Sequence, residues 1–145
     1  MAITQALANS FKKQLLDGDH SFASGSDVYK IALYSSSATL NSATTSYTTG
    51  QEVGNSGQYT AGGGKLTGNN TSIASGVAIV DFADRSFTGV TLTARGALIY
   101  NTSSTATNAA VAALDFGADK TATSGTFTIQ FPAFTTAAAI LRISG

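Results

Sequence analysis

The chain holds one histidine and no cysteine in 145 residues, so any chemistry has to be assembled from a short inventory. His20 closes the run Asp17-Gly18-Asp19-His20, which puts three metal-ligand side chains close together. A catalytic zinc needs about three protein ligands, and calcium takes roughly six or more oxygens along a longer loop. The run has neither the full ligand set nor the loop pattern, and it reads as a solvated turn between a helix and a strand. Without cysteine, thiolate zinc sites and disulfides are excluded.

Four carboxylates, Asp81, Asp84, Asp115 and Asp119, fall at or near predicted strand ends, and a pair of them at the right separation is what glycoside hydrolysis requires. Asp84-Arg85 and Asp119-Lys120, however, have the form of turn residues with local charge compensation. Arg85 and Arg95 flank one predicted strand and are candidates to pair with Asp81 or Asp115. Gly62-Gly63-Gly64 is followed by Lys65-Leu66, not by the Lys-Ser/Thr of a phosphate loop. Tyr34, Phe82, Tyr100 and Phe127 read as core, since no basic residues interleave them as a base-stacking platform would need. No enzyme and no cofactor is expected, and no catalytic, cofactor or metal residue is assigned.

The elements that hold these residues divide into one helix and many strands. Ile3, Leu7, Phe11 and Leu15 recur every four residues and predict a helix over the first turns, with Thr4 as N-cap and Gly18 as the stop. From Val28 the period becomes two. Tyr29, Ile31 and Leu33 point one way, and Val28, Lys30, Ala32 and Tyr34 the other. Residues 35–75 form a long polar stretch whose only charges are Glu52 and Lys65. Tyr47, Val53, Tyr59, Leu66 and Ile73 are its expected anchors, and the glycine triplet its tight turn. Strands are then expected over 77–82, 87–94, 97–101, 110–116, 126–131 and 139–143. A turn falls at Gly117-Ala118-Asp119-Lys120, and Pro132 stops the fifth of these strands. Short strands with even punctuation predict a mainly β fold: an antiparallel β-sandwich or small barrel, jelly-roll-like, with one short N-terminal helix. The expected organisation is a single domain over 1–145, with a helix and turn over 1–22 and an arm or hairpin insertion over 35–75.

Charge narrows the function. Eight basic and eight acidic residues balance to zero and make up only 11% of the chain, against about 25% in a typical domain. No basic cluster or stripe is present, so no nucleic-acid partner is expected. No stretch reaches the ~18 apolar residues of a membrane helix, and no membrane partner is expected. The N-terminal residues lack the positive region of a signal peptide, and synthesis in a cytoplasm is the expectation.

Several segments together resemble a family of tailed-bacteriophage virion structural proteins. They are Leu15-Leu16-Asp17-Gly18-Asp19-His20-Ser21-Phe22, YKIALYSSSATL (29–40), EVGNSGQYTAGGGKLTG (52–68), DFADRSFTGVTLTARGALIYN (81–101) and LDFGADKTATSGTFTIQFP (114–132). The likeness covers nearly the whole chain and implies a non-enzymatic particle component, without functional residues to carry over. Physical argument then favours a capsid cement or decoration protein on the virion surface. It would bind the major capsid protein and act through many weak, symmetric contacts. A homo-oligomer is expected, with threefold assembly favoured because capsid lattices offer local threefold sites. The other reading is a tail or baseplate adhesin, whose Tyr47 or Tyr59 would stack on a sugar. Candidate partner contacts are Phe11 on the helix and Tyr47 and Tyr59 on the polar arm. Removal of 41–65 is expected to leave a folded domain that no longer decorates shells.

Overall fold

A computed structural model describes residues 2–132 and 139–144. In chain order the elements are β1 (Ala6–Leu7), α1 (Asn9–Leu16), β2 (Tyr29–Tyr34), β3 (Gly64–Lys65), β4 (Asn70–Ala74), β5 (Val77–Asp81), β6 (Arg85–Asn101), β7 (Ala109–Ile129) and β8 (Leu141–Ile143). The fold is mainly β, with antiparallel pairing in two sheets and one short helix near the N-terminus. The large sheet runs β1-β7-β6-β2-β3 and the small one β4-β5-β8; neither closes into a barrel.

The helix is shorter than its apolar spacing predicts. It starts at Asn9 behind Ala8, while Ala6 and Leu7 pair with Ala113 and Ala112 of β7 and Ile3 bridges to Leu40. A spacing of four residues places side chains on one face of a helix and equally on one face of an extended chain, so the pattern alone does not choose. Thr4 is therefore no cap; its N–H donates to the Leu40 carbonyl at 2.8 Å. Gly18 does end the helix, in the left-handed conformation at φ +81°.

β6 and β7 make one long hairpin of 17 and 21 residues, where the sequence predicts four shorter strands. The expected turn at residues 117–120 lies within a bulge of β7. Ala94 pairs with Lys120 and Gly96 with Asp115, so Arg95 alone opposes residues 116–119. Gly117 supplies the positive φ, and its N–H donates to Asp115 Oδ1 at 2.9 Å. Arg95 Nε donates to the same oxygen at 3.0 Å and closes the bulge, and the ladder resumes beyond it.

The core covers both faces of this hairpin over 96–101 and 109–114 and one face beyond them. Phe87, Val90, Leu98, Ile99, Val111 and Ile31 are all buried within it. Alternation in β2 predicts one buried face, but Ile31, Ala32, Leu33 and Tyr34 are all buried. The second face is covered by the polar stretch, whose Ala38, Leu40, Tyr59 and Leu66 belong to the core. Residues 35–66 are thus part of the globule, and the expectation of an outward arm there is corrected. Only Ile73 among the five expected anchors stands clear of the core, at 73% exposure. The glycine turn lands where predicted: Gly63 (φ +81°) passes so close to β2 that a Cβ there would lie 1.8 Å from the Ile31 carbonyl oxygen.

Candidate functional site

The three expected contact residues have different fates. Phe11 and Tyr59 are buried, at 2% and 0% exposure, so neither side chain stands out from the surface. Tyr59 lies edge-on to Phe87 at 5.1 Å, donates its phenol proton to Glu52 Oε2 at 2.7 Å, and accepts the Leu33 N–H at 2.8 Å. Tyr47 is half-buried, stacks on Tyr100 at 4.8 Å, and donates to Glu52 Oε1. Glu52 Oε2 also accepts the Gly62 N–H at 2.7 Å. One carboxylate thus gathers two phenols and a backbone amide from three parts of the polar stretch. Burial, reinforced by this carboxylate, pushes the Tyr47 and Tyr59 phenols well above the ordinary tyrosine range and Tyr100 to about 12. Phenols held neutral in this way are hydrogen-bond donors. The cluster fastens a loop.

His20 is also inside, at 6% exposure, which corrects the expectation of a solvated turn. Asn101 Nδ2 lies 2.9 Å from His20 Nδ1 and 2.8 Å from Asp27 Oδ2, while Asn101 Oδ1 accepts the Ser103 N–H. The amide nitrogen is therefore the donor and Nδ1 the acceptor, so Nε2 carries the proton toward Gln14 Oε1 at 2.9 Å. The Phe11 ring packs 4.8 Å away. The neighbouring carboxylates turn elsewhere: Asp17 pairs with Lys13 at 2.6 Å, and Asp19 accepts the Thr105 N–H at 2.7 Å. Among the described residues no group of three or more such side chains is placed to hold a metal ion.

Of the other carboxylates, Asp84 and Asp115 hold structural contacts. Arg95 pairs with Asp115, one of the two partners expected for it. Arg85 instead lies over the Phe87 ring at 4.6 Å, and Asp84 accepts the Phe131 N–H at 2.8 Å.

Surface features stand out more than interior chemistry. On the outer face of the hairpin, Ser86, Thr88, Thr91 and Thr93 of β6 run beside Thr121, Thr123, Thr126 and Thr128 of β7. They alternate with the buried Phe87, Leu92, Ala122 and Phe127. All but Ser86 are exposed. Ser86 bonds Thr128 at 2.9 Å and Thr93 bonds Thr121 at 2.8 Å across the strands. The result is two rows of neutral hydroxyls on one face of the hairpin.

A second feature is an apolar groove of about 430 Å³ between α1 and the small sheet. Leu7, Leu15 and Val80 line it, Phe11 contributes from the helix, and Leu16 and Ile143 stand exposed beside it at 89% and 59%. The signal for this groove was present in Leu15-Leu16. Adjacent helical residues point about 100° apart, so the pair cannot both follow Phe11 into the core. The hydroxyl rows were legible only as alternation, because nothing local says which side of a strand meets water.

Comparison with protein-family models, with curated proteins and with solved structures returns no match for this chain.

Proposed function

We propose that this chain is a non-enzymatic structural component of a tailed-phage particle. In this reading it is a cement or decoration protein on the capsid surface that bridges major capsid subunits. The observation that carries the reading is the hydroxyl-covered face of the β6-β7 hairpin, set against an interior that consumes Glu52, His20 and the tyrosines in holding loops. Neutral hydroxyls adapt to donors and acceptors on a facing protein at low desolvation cost, and rigidity comes from the long hairpin behind them. Weak contacts of this kind become a clamp when a shell presents many equivalent sites, and binding to assembled subunits stabilises them by mass action. Neither nucleic acid nor membrane has a part in this reading.

The burial of Tyr59 and the internal engagement of Tyr47 favour this over a host-surface adhesin, because the aromatic platform for sugar stacking is occupied. The experiment is a binding assay on empty shells of the major capsid protein, followed by cryo-electron microscopy of the decorated particle. Saturable, regular density across the shell and a raised shell-disruption temperature are expected. Density confined to the tail, with no binding to shells, would sink the proposal.

A further inference from the structure

We infer that β4 is a seam between two copies of this chain, paired antiparallel across a twofold axis at Ser72. β4 is an edge of the small sheet, bonded to β5 over all five of its residues without a register shift. Every one of those residues, Asn70 to Ala74, is exposed. Among the described residues no hydrogen bond other than those to β5 reaches this strand. Proteins guard such edges with charge, proline, bulges, shortness or a covering segment. β1 and β3 have only two residues each, β8 has three with Arg142 at its centre, and the free stretch of β7 is broken by bulges. Among the described residues β4 has none of these devices.

The chemistry of the strand selects the occupant. An exposed ladder of N–H and C=O groups takes another extended strand, and a twofold axis makes the strand its own complement. Centred on Ser72, the pairing sets Thr71 opposite Ile73 of the second copy and Asn70 opposite Ala74 of the second copy. β-branched residues then face each other, and no like charges meet. Ile73 shares a sheet face with Ala78 and Ile143, its neighbours in register, so the pairing extends an exposed apolar row across the axis. With zero net charge the two copies repel little. Five paired residues fall short of the ~800 Å² per partner of a standard interface, which makes the association concentration-dependent. The axis is twofold, in contrast to the threefold assembly expected from lattice geometry, and the inference stands apart from the location of the protein on a particle.

The absence of native cysteine makes the test direct. Residues facing each other across an antiparallel ladder are about 4.5–5.5 Å apart, within reach of a disulfide. Under mild oxidation Ser72→Cys is expected to give a covalent dimer at least roughly tenfold faster than Thr123→Cys on the hairpin face. Sedimentation equilibrium of the unaltered protein is expected to show a monomer–dimer equilibrium. Ser72→Lys, which places two ammonium groups face to face, is expected to weaken it by roughly tenfold or more, with an unchanged urea midpoint at dilutions where the protein is monomeric. Equal cross-linking rates for the two cysteine variants overturn the proposal, and so does a monomer at every concentration up to millimolar. A monomer whose binding to shells is lost on Ser72→Lys also overturns it, and gives this edge to the shell protein instead.

Discussion

At the scale of single residues, the carboxylate of Glu52 and the imidazole of His20 hold the most. Glu52→Gln keeps the size of the side chain, but its amide nitrogen cannot accept the phenol or backbone protons that two carboxylate oxygens receive. We expect a loss of about 1–3 kcal/mol in urea unfolding. Tyr59→Phe, which strands the Leu33 N–H, belongs in the same range. The two losses should not add, since both variants break the same bond; strict additivity in a double-mutant cycle would contradict the network. His20 makes a pH prediction. Burial lowers its pKa from 6.5 in the folded chain, opposed by Asp19 and Asp27. Between the folded and unfolded values the unfolded state binds the extra proton, so stability is complete above 6.5 and is lost as pH falls through the lowered folded value. Protonated Nδ1 no longer accepts from Asn101, which gives the loss its structural route. Asp19 and Asp115 have pKa values lowered from 3.8 and weaken the fold only at still more acid pH. Urea midpoints should therefore decline from pH 7.5 to 5.5, and His20→Gln should flatten that decline. An imidazole titrating at or above 6.5 by NMR would refute the assignment.

At the scale of elements, the segment 35–66 is the decisive case. It supplies Tyr59 and β3, and Glu52 holds its turns together, so removal of 41–65 should abolish folding instead of producing a trimmed domain. Loss of chemical-shift dispersion in a proton NMR spectrum is the expected readout, and a native-like spectrum would contradict it. A milder probe is Gly63→Ala. The methyl group would meet the Ile31 carbonyl and the residue would sit at positive φ, for an expected cost of about 3 kcal/mol or more by urea unfolding. Gly18→Ala is the comparison: its φ is equally positive, yet nothing lies within 4 Å, so only the smaller backbone strain should appear.

For the whole molecule, the rigid hairpin and its hydroxyl face are the parts through which the proposed shell binding acts. Thr88→Lys with Thr123→Lys puts two charges into that face while leaving the core untouched, so stability by urea unfolding should move by no more than about 0.5 kcal/mol. Shell occupancy should fall by roughly tenfold or more through uncompensated desolvation of the two ammonium groups. Unchanged occupancy would move the contact elsewhere on the protein. Leu16→Ser tests the groove by the same comparison, because Leu16 is nearly fully exposed and contributes little to the fold.

Much of the architecture was legible in the residues themselves. Alternation and β-branched content identify the strands, Gly18 ends the helix, Gly62-Gly63 turn the chain into β3, and Arg95 and Asp115 pair as their charges allow. These features are local, and sterics or charge decide them within a few residues. Other outcomes needed the tertiary structure. Ile3 and Leu7 obey a helical spacing yet lie in extended backbone, since β7 offers Ala112 and Ala113 as ladder partners. The Gly117 signal bends β7 without ending it, because Arg95 and Asp115 close the bulge from the facing strand. Tyr59, Phe11 and His20 sit in polar surroundings in sequence but are buried in space, each covered by chain that lies far from it along the sequence. Sequence alone determined what each segment can form; which face is covered, and by what, was decided by contacts between distant residues, which no local pattern encodes.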